Sequence, residues 1–448
     1  MMRQYLDIKE RNKDCILFFR LGDFYEMFFD DAKLVSEELE IVLTGRDCGQ
    51  EERAPMCGVP YHSCESYIAR LVEKGYKIAI CEQVEDPATA KGLVKRDIVR
   101  VITPGTVTEE SMLDEGKNNY LCAGYFEGAS AGISFTDVST GQMNVTELSG
   151  DNLEARVCDE IGRFSPREVL SVGELETHPV LKEYISERLG AMYTPLGGEN
   201  FSAPHCEELV SEHFKVGSSV NLGLSKESPA VCAAGATLGY LYRTQFSNVS
   251  AVSRLNFYSQ SQYMKLDVSA IRNLELFETM RGKAKKGSLL GVLDKTKTAM
   301  GKRLIRGWLE QPLLNVTEIT SRHNAVDELV SNFLMLGELT EYLTGIKDME
   351  RLMSRIVYGT ASGKELLGLA DAASHFPAIK EVLSSAGSRL LADINNRLDL
   401  LSDIKTLIDE SIDPEAPAIV REGGIIKKGY NEEVDELRSI IENGADYI

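Results

Sequence analysis

A short aromatic segment near the start of the sequence holds the residues best suited to chemistry. It follows the pair Gly22-Asp23, which is typical of a turn, and it places one acid, Glu26, among large apolar side chains. One helical face cannot bury so many large groups, so some of them are expected to point outward. An exposed ring beside a carboxylate suits insertion into a stack of nucleobases, which offers flat faces and hydrogen-bonding edges. The apolar residues are Phe24, Tyr25, Met27, Phe28 and Phe29.

A second interpretation assigns the same aromatic residues to the protein core. Phe24 and Phe28 are four positions apart, the spacing of neighbours on one face of a helix. In this interpretation, a helix at residues 24–39 follows a buried strand at residues 16–19 and packs both rings inside. The two interpretations differ in whether the ring of Phe24 reaches solvent.

The elements that position this segment are predicted to form a small α/β domain, residues 1–108. Its apolar strands alternate with helices at short spacing. Residues 54–62 contain two prolines and Gly58, which predicts a rigid loop that allows a close backbone approach. The other predicted helices lie at residues 2–11 and 66–74, and the other strands at residues 77–81 and 98–102.

The cysteines raise the question of a metal site. Cys48, Cys57, His62 and Cys64 are all zinc-ligand types within a short stretch, but their spacings fit no common structural zinc pattern. The nine cysteines are dispersed, with no C-x-x-C pair. We therefore expect no metal and reduced, buried thiols.

Composition restricts the class of protein. The 448 residues are 43% hydrophobic and 26% charged, as in a soluble protein of several domains. The sequence has neither an apolar run of about 20 residues nor the apolar core of a signal peptide, which predicts a cytoplasmic location. The net charge of −20 argues against a protein that coats nucleic acid. Residues 272–310 are locally basic, and we expect these charges to form internal ion pairs.

The remainder of the chain is predicted to form two further domains. Residues 109–118 are polar and indicate a linker. Residues 119–249 begin with strands and hairpin turns and continue with a helix and a further strand, which indicates a mixed sheet with crossover helices. Asp137 opens one of these turns, and we assign it to the turn and not to a nuclease metal site. Residues 250–448 have mostly helical periodicity, with an extended piece at residues 266–276, one helix at residues 329–343 and Trp308 in the core.

The aromatic segment resembles the mismatch-reading loop of the bacterial DNA mismatch repair family MutS. Further segments with sequences similar to this family lie at residues 54–62, 81–88, 101–106, 274–278, 286–290, 308–313 and 419–433. The resemblance implies a mismatch-binding α/β domain at 1–108, a ribonuclease-H-like connector at 119–249 and a helical core and lever domain at 250–448. The clamp and ATPase domains of the family are absent from these residues, so we expect the front portion of a longer protein.

The resemblance also implies a function, the recognition of mispaired or unpaired bases in double-stranded DNA. Phe24 would enter the base stack as a wedge, Glu26 would bond to the mispaired base, and Tyr25 would support the wedge. As a carboxylate Glu26 has only acceptors, whereas in its protonated form it could donate to a purine N7. Candidate contacts to the DNA backbone are Arg46, Arg53, Arg70, Lys91, Lys95, Arg96 and Arg100.

The whole protein of this family is implied to be a dimeric ATPase. ATP with Mg²⁺, a second copy of the chain and a MutL-type downstream factor would be its partners. The segment at residues 359–365 has one residue too few for a phosphate-binding loop and no hydroxyl after Lys364, so no catalytic site is expected here. Two other function classes stay open: an acidic protein-interaction scaffold without a DNA role, and a ribonuclease-H-like nuclease.

Overall fold

A computed structural model of the chain describes residues 1–47, 53–85, 92, 94–172, 177–245, 249–417 and 422–442. The chain divides into two compact units, Met1–Gln260 with Leu266–Ala270, and Ser261–Lys265 with Ile271–Ile448. Both described sheets belong to the first unit, and the second is helical. This confirms the predicted fold class, mixed α/β followed by α-helical.

The first sheet has six strands in the order β3-β4-β2-β1-β5-β6. β1 and β5 are parallel, and the other neighbouring pairs are antiparallel. The elements are α1 (Met2–Arg11), β1 (Cys15–Leu21), β2 (Phe24–Phe28), α2 (Phe29–Leu39), β3 (Thr44–Arg46), β4 (Ala54–Pro60), α3 (Cys64–Glu73), β5 (Lys77–Gln83) and β6 (Arg96–Ile102).

The aromatic segment is a strand and not the start of a helix. β2 runs antiparallel to β1, with Leu21 opposite Phe24, and α2 begins only at Phe29. The predicted helix at residues 24–39 is therefore wrong for its first five residues. Successive side chains of a strand point to opposite faces, so a sheet covered on both faces can bury large residues on each.

The predicted loop at residues 54–62 is also wrong. β4 occupies most of it, pairs with both β2 and β3, and is followed by a 3₁₀ turn, Tyr61–Ser63. Pro55 and Pro60 lie at or next to the ends of the strand, where a missing N–H disturbs the ladder least.

Helices cover the two faces of this sheet. α2 and α3 cover one face, where they pack on Phe18, Tyr25 and Met27. α1 covers part of the other face through Tyr5, whose ring meets Phe28 edge to face at 5.0 Å. Alternation along β2 places Phe24 and Glu26 on the same face as Phe28.

The second sheet is mixed, as predicted for residues 119–249. Three antiparallel strands, β9-β8-β7, continue into the parallel strands β10 and β11, and β12 adds to the β9 edge. The elements are β7 (Tyr120–Glu127), β8 (Ser130–Asp137), β9 (Gln142–Ser149), α4 (Leu153–Phe164), β10 (Glu168–Val172), α5 (Pro179–Glu183), a π-helical Tyr184–Leu189, β11 (Met192–Leu196), α6 (Ala203–His213), α7 (Pro229–Gln245) and β12 (Arg254–Phe257).

The turn between β8 and β9 confirms the interpretation of Asp137. Its Oδ1 accepts from the backbone N and the hydroxyl of Ser139 at 2.9 and 2.7 Å. Its Oδ2 accepts from Asn118 Nδ2 at 2.7 Å and from the backbone N of Asn119 at 3.2 Å. The contacts to Ser139 are local turn contacts, the role that favours Asp at such a position, and the other two hold the residues just before β7.

The remaining elements are helices. Residues 266–276 contain α8 and not an extended piece, and the single helix predicted at 329–343 is interrupted at Asn332, whose side chain caps the N-terminus of α12. The helices are α8 (Val268–Asn273), α9 (Leu289–Leu293), α10 (Ala299–Glu310), α11 (Val316–Ser331), α12 (Phe333–Thr344), α13 (Met349–Val357), α14 (Gly363–Ser374), α15 (Phe376–Leu383), α16 (Arg389–Arg397), α17 (Ser402–Ser411) and α18 (Glu432–Glu442).

Three basic residues of the stretch 272–310 form ion pairs in the described structure, which confirms the expectation for these three. Lys285 lies 2.6 Å from Asp294, Arg306 lies 2.8 Å from Glu310, and Arg303 is buried against Asp348. Trp308, by contrast, is not a core residue. Its side chain is 37% exposed, and the guanidinium of Arg322 lies 3.8 Å from the ring centroid.

Candidate nucleic-acid interface

Phe24 is the exposed aromatic residue of the first sheet's central hairpin. The turn before it depends on Gly22, whose φ of 57° glycine adopts without steric cost. Phe24 pairs with Leu21 on β1 and with Pro60 on β4, so its backbone is fixed on both sides. The ring is nevertheless 46% exposed. A rigid backbone therefore presents a flat apolar ring to solvent, as the nucleobase interpretation requires.

The position of α1 explains why the ring is exposed. Phe28 lies on the same face as Phe24 but is only 1% exposed, because Tyr5 of α1 covers it. The hydroxyl of Tyr5 also lies 3.3 Å from the backbone N of Phe28. The Phe24 end of β2 is left open to solvent.

Glu26 lies two residues along the same face and is held by an arginine. Its Oε2 accepts a hydrogen bond from Arg46 Nη1 at 2.6 Å. The two side chains are 17% and 39% exposed. On the neighbouring strand, a Cβ at Gly58 would lie 3.5 Å from Glu26 Cγ and 3.7 Å from Phe24 Cδ1. Phe24 and Glu26 therefore lie together over a glycine backbone.

Tyr25 points to the opposite face and is buried in the core. Its hydroxyl donates to Glu82, and the guanidinium of Arg20 lies 5.6 Å from its ring centroid. Burial and the bond to Glu82 both raise the pKa of Tyr25, so the phenol stays protonated as a donor. Tyr25 thus anchors the strand from beneath, and its ring does not share the surface of Phe24.

The basic candidates divide into two groups. Arg96 is buried and donates to the backbone oxygen of Arg20 at 2.7 Å, and Arg100 donates to Glu109 and to Gln245. These two guanidinium groups are engaged inside the protein. The side chain of Arg46 is half-buried, and Lys91 lies outside the described residues. The exposed candidates are Arg53, Arg70 and Lys95.

Comparison with known proteins identifies the family. Three domain models of one protein family together match nearly the whole chain. They are MutS domain I at residues 1–111, MutS domain II at 119–253 and MutS domain III at 269–448. The chain belongs to the MutS family.

Named relatives agree with these matches. The chain is 49% identical, over its whole length, to the DNA mismatch repair protein MutS of Ruminiclostridium cellulolyticum and covers 51% of that protein. The corresponding protein of Acetivibrio thermocellus is 48% identical, with 100% of this chain and 51% of the relative covered. That of Lachnoclostridium phytofermentans is 48% identical over 98% of this chain and 47% of its own length. The chain therefore spans about half the length of these relatives.

MutS domain I contains the hairpin that bears Phe24 and Glu26. The boundaries set from the sequence at residues 108, 118 and 249 stay a prediction. Met112 and Leu113, in the stretch interpreted as a linker, pack against the core of the first sheet.

The sequence predicts Arg46 only as a contact to the DNA backbone and not as the partner of Glu26. No local signal in the sequence shows that β3 and β2 come close.

The near match to a phosphate-binding loop is a helix cap. Ser362 precedes α14, and the carboxylate of Glu365 accepts from both the backbone N and the hydroxyl of Ser362 at 2.8 Å. This reciprocal capping box is an ordinary helix start, in which side chains of the helix itself bond to its first backbone N–H groups.

The cysteines are thiols in the described part of the chain. Eight are unbridged, and all of these except Cys64 are buried. Burial raises the pKa of Cys57 to about 12, and its Sγ lies 3.4 Å from the backbone oxygen of Ala32. Cys48 lies outside the described residues, within which no three potential ligands are grouped for a metal. Within the same residues, no helix combines the length and apolar character needed to cross a membrane.

Proposed function

We propose that this chain recognises mispaired or unpaired bases in double-stranded DNA, as the part of a MutS protein that reads the duplex. One observation carries the proposal: Phe24, 46% exposed, stands at the start of a central strand with Glu26 beside it on the same face. A core role for Phe24 would require a covered ring. The family assignment supports DNA as the surface that the ring meets, because the relatives are named DNA mismatch repair proteins.

The proposed mechanism tests how easily the duplex deforms. A mispaired step is poorly stacked, so inserting a phenyl ring and kinking the helix costs less there than in matched DNA. Phe24 enters from the minor groove as the wedge. Its strand is paired with β1 on one side and with β4 on the other, so little order has to be created on binding.

Glu26 supplies the polar contact to the displaced base. In the ion pair with Arg46, the carboxylate of Glu26 presents acceptor oxygens to the base. A protonated Glu26 would no longer form this ion pair. Tyr25 contributes from beneath by holding β2 to Glu82. Arg53, Arg70 and Lys95 are the proposed phosphate contacts, whereas Arg46 is paired with Glu26. A few cations on an acidic chain favour binding at chosen sites over general coating of DNA.

For the whole protein we propose the activities expected of the family. These are binding and hydrolysis of ATP with Mg²⁺, assembly as a homodimer and recruitment of a MutL-type factor. The described residues contribute the duplex-reading hairpin and the connector to these activities.

A binding experiment tests the proposal. Fluorescence anisotropy compares a duplex with one G·T mispair and its matched counterpart, using the protein encoded by the reading frame of this chain. We expect a salt-dependent preference for the mispaired duplex that Phe24→Ala abolishes. Leu6→Ala is the matched control, because Leu6 of α1 is 48% exposed. Absence of a preference in the unmodified protein would favour the protein-interaction scaffold instead.

A further inference from the structure

The ion pair between Glu26 and Arg46 joins two strands that are not neighbours. The strand order places β4 between β3 and β2, so the contact spans two strand spacings, roughly 10 Å. Arg46 Nη1 nevertheless lies 2.6 Å from Glu26 Oε2. The two residues are also offset along β4, where Arg46 pairs with Ala54 and Glu26 with Gly58, so both side chains have to reach toward each other. The contact therefore constrains the direction of the carboxylate.

The neighbouring strand β4 offers little that could orient the carboxylate of Glu26 in place of Arg46. Gly58, directly opposite Glu26 on β4, has no side chain that could hold the carboxylate from the side. The side chain of Glu26 is 17% exposed and that of Arg46 is 39% exposed. Ion pairs that are partly exposed in this way contribute little to folding stability, which favours a role in recognition.

Charge gives the pair a second consequence. A lone carboxylate beside Phe24 would repel the phosphates that flank any base step the ring enters. The guanidinium of Arg46 offsets this charge. Glu26 and Arg46 together form a nearly neutral polar pair next to the wedge.

We propose that Arg46 is a positioning residue for recognition: it holds the Glu26 carboxylate beside Phe24 and neutralises it against the DNA backbone. This inference rests on the proposed function. It differs from a phosphate contact because Arg46 acts through Glu26. A phosphate contact strengthens binding to all sequences alike, whereas a positioning residue changes the preference for mispaired DNA.

A double-mutant cycle separates the two roles. The ratio of mismatched to matched affinity is measured for the unmodified protein, Arg46→Gln, Arg46→Lys, Glu26→Gln and the double variant Arg46→Gln with Glu26→Gln. We expect Arg46→Gln to lower the ratio at least about threefold, within the range of coupled neighbours. Arg46→Lys should retain more of the ratio because it keeps the charge. In the Glu26→Gln background, Arg46→Gln should leave the ratio unchanged.

Lys33→Gln is the control for loss of one positive charge. Lys33 is an exposed residue of α2, paired with Asp30 at 3.3 Å on the helix that covers the other face of the sheet. Its ratio should equal that of the unmodified protein. Circular dichroism melting verifies that each variant is folded. If Arg46→Gln does not fold, the cycle of Arg46→Lys with Glu26→Gln tests the same coupling, with a smaller expected change in the ratio.

Two results would overturn the inference alone. One is an Arg46→Gln protein that binds both duplexes more weakly by the same factor. The other is an equal fall in the ratio with and without the Glu26 carboxylate, which would make the two residues independent. A protein without any mismatch preference would overturn the proposed function together with this inference.

Discussion

The phenolic oxygen of Tyr240 lies 2.7 Å from a carboxylate oxygen of Glu168, inside the first unit. The same carboxylate accepts from the hydroxyl of Thr194 at 2.8 Å, from the backbone N of Gly105 at 3.2 Å and from the hydroxyl of Thr103. These donors come from α7, β11 and the segment after β6. One buried acid therefore ties the first sheet, which bears Phe24, to the connector.

Replacing Glu168 by glutamine should destabilise this joint. The amide of Glu168→Gln would direct N–H groups at donors, leaving buried groups unsatisfied. We expect the free energy of unfolding to fall by about 2–3 kcal/mol, measured by urea denaturation. Glu187→Gln changes an exposed acid of the connector and should have no measurable effect. Equal stability of both variants would show that the donors at Glu168 find other partners.

A buried ion cluster in the second unit predicts a dependence on pH. Arg303 Nη1 and Nη2 lie 2.6 and 2.8 Å from the carboxylate of Asp348, and Nη2 lies 2.7 Å from Glu350. Burial raises the pKa of Asp348, but the hydrogen bonds and charge of Arg303 outweigh it and lower the pKa overall. The stability from this carboxylate is therefore full above the unfolded pKa, about 3.9, and is lost as the pH falls through the lower folded value.

Arg303→Met tests this dependence. At pH 7 it should lower the free energy of unfolding by about 2–3 kcal/mol, because Asp348 then loses the two hydrogen bonds that Arg303 donates. The difference from the unmodified protein should begin to shrink below about pH 4, where Asp348 is first protonated in the unfolded chain. Arg389→Met is the matched control, since Arg389 is 91% exposed in its pair with Asp393. A difference that stays constant from pH 7 to pH 3 would contradict the assignment to Asp348.

Close backbone packing in the connector gives a prediction about two glycines. A Cβ at Gly132 of β8 would lie 1.9 Å from the backbone oxygen of Pro229 at the start of α7. We expect Gly132→Ala to cost about 3 kcal/mol or more, because neither backbone can move without disrupting the sheet or the helix. A Cβ at Gly124 of β7 would meet no atom within 4 Å. In thermal denaturation, Gly132→Ala should therefore lower the midpoint temperature strongly and Gly124→Ala only slightly. Similar decreases for the two variants would contradict the close packing at Gly132.

Local signals in the sequence were sufficient for elements that depend on neighbouring residues. The helix at residues 2–11 has the bounds of α1, and Asp137 makes the turn contacts that its residue type favours. The exposed aromatic ring was also predictable, because the excess of large apolar groups around Glu26 could not be explained by one buried face.

Features that depend on strand pairing could not be predicted in this way. The spacing of Phe24 and Phe28 fits a helix and equally places both on one face of β2, and only pairing with β1 and β4 decides between them. Residues 54–62 looked like a loop because of their prolines, yet β4 tolerates proline near its ends. The contact of Arg46 with Glu26 follows from the order of three strands, which periodicity does not contain.

Phe24 and Phe28 provide the last prediction, because they share a face but differ in burial. Phe28 is 1% exposed and packs against Tyr5, so Phe28→Ala should lower the free energy of unfolding by about 3–4 kcal/mol. Phe24 is 46% exposed, so Phe24→Ala should cost less than about 1 kcal/mol. Urea denaturation measures both values.

The same two variants separate stability from recognition. Phe24→Ala should retain the fold and lose the preference for mispaired DNA, since the ring that enters the base stack is gone. Under conditions in which Phe28→Ala is folded, this variant should keep the preference, because the ring of Phe28 faces Tyr5 and not solvent. If Phe24→Ala instead unfolded as readily as Phe28→Ala, its ring would be a structural element of the hairpin. The loss of binding would then follow from loss of the fold.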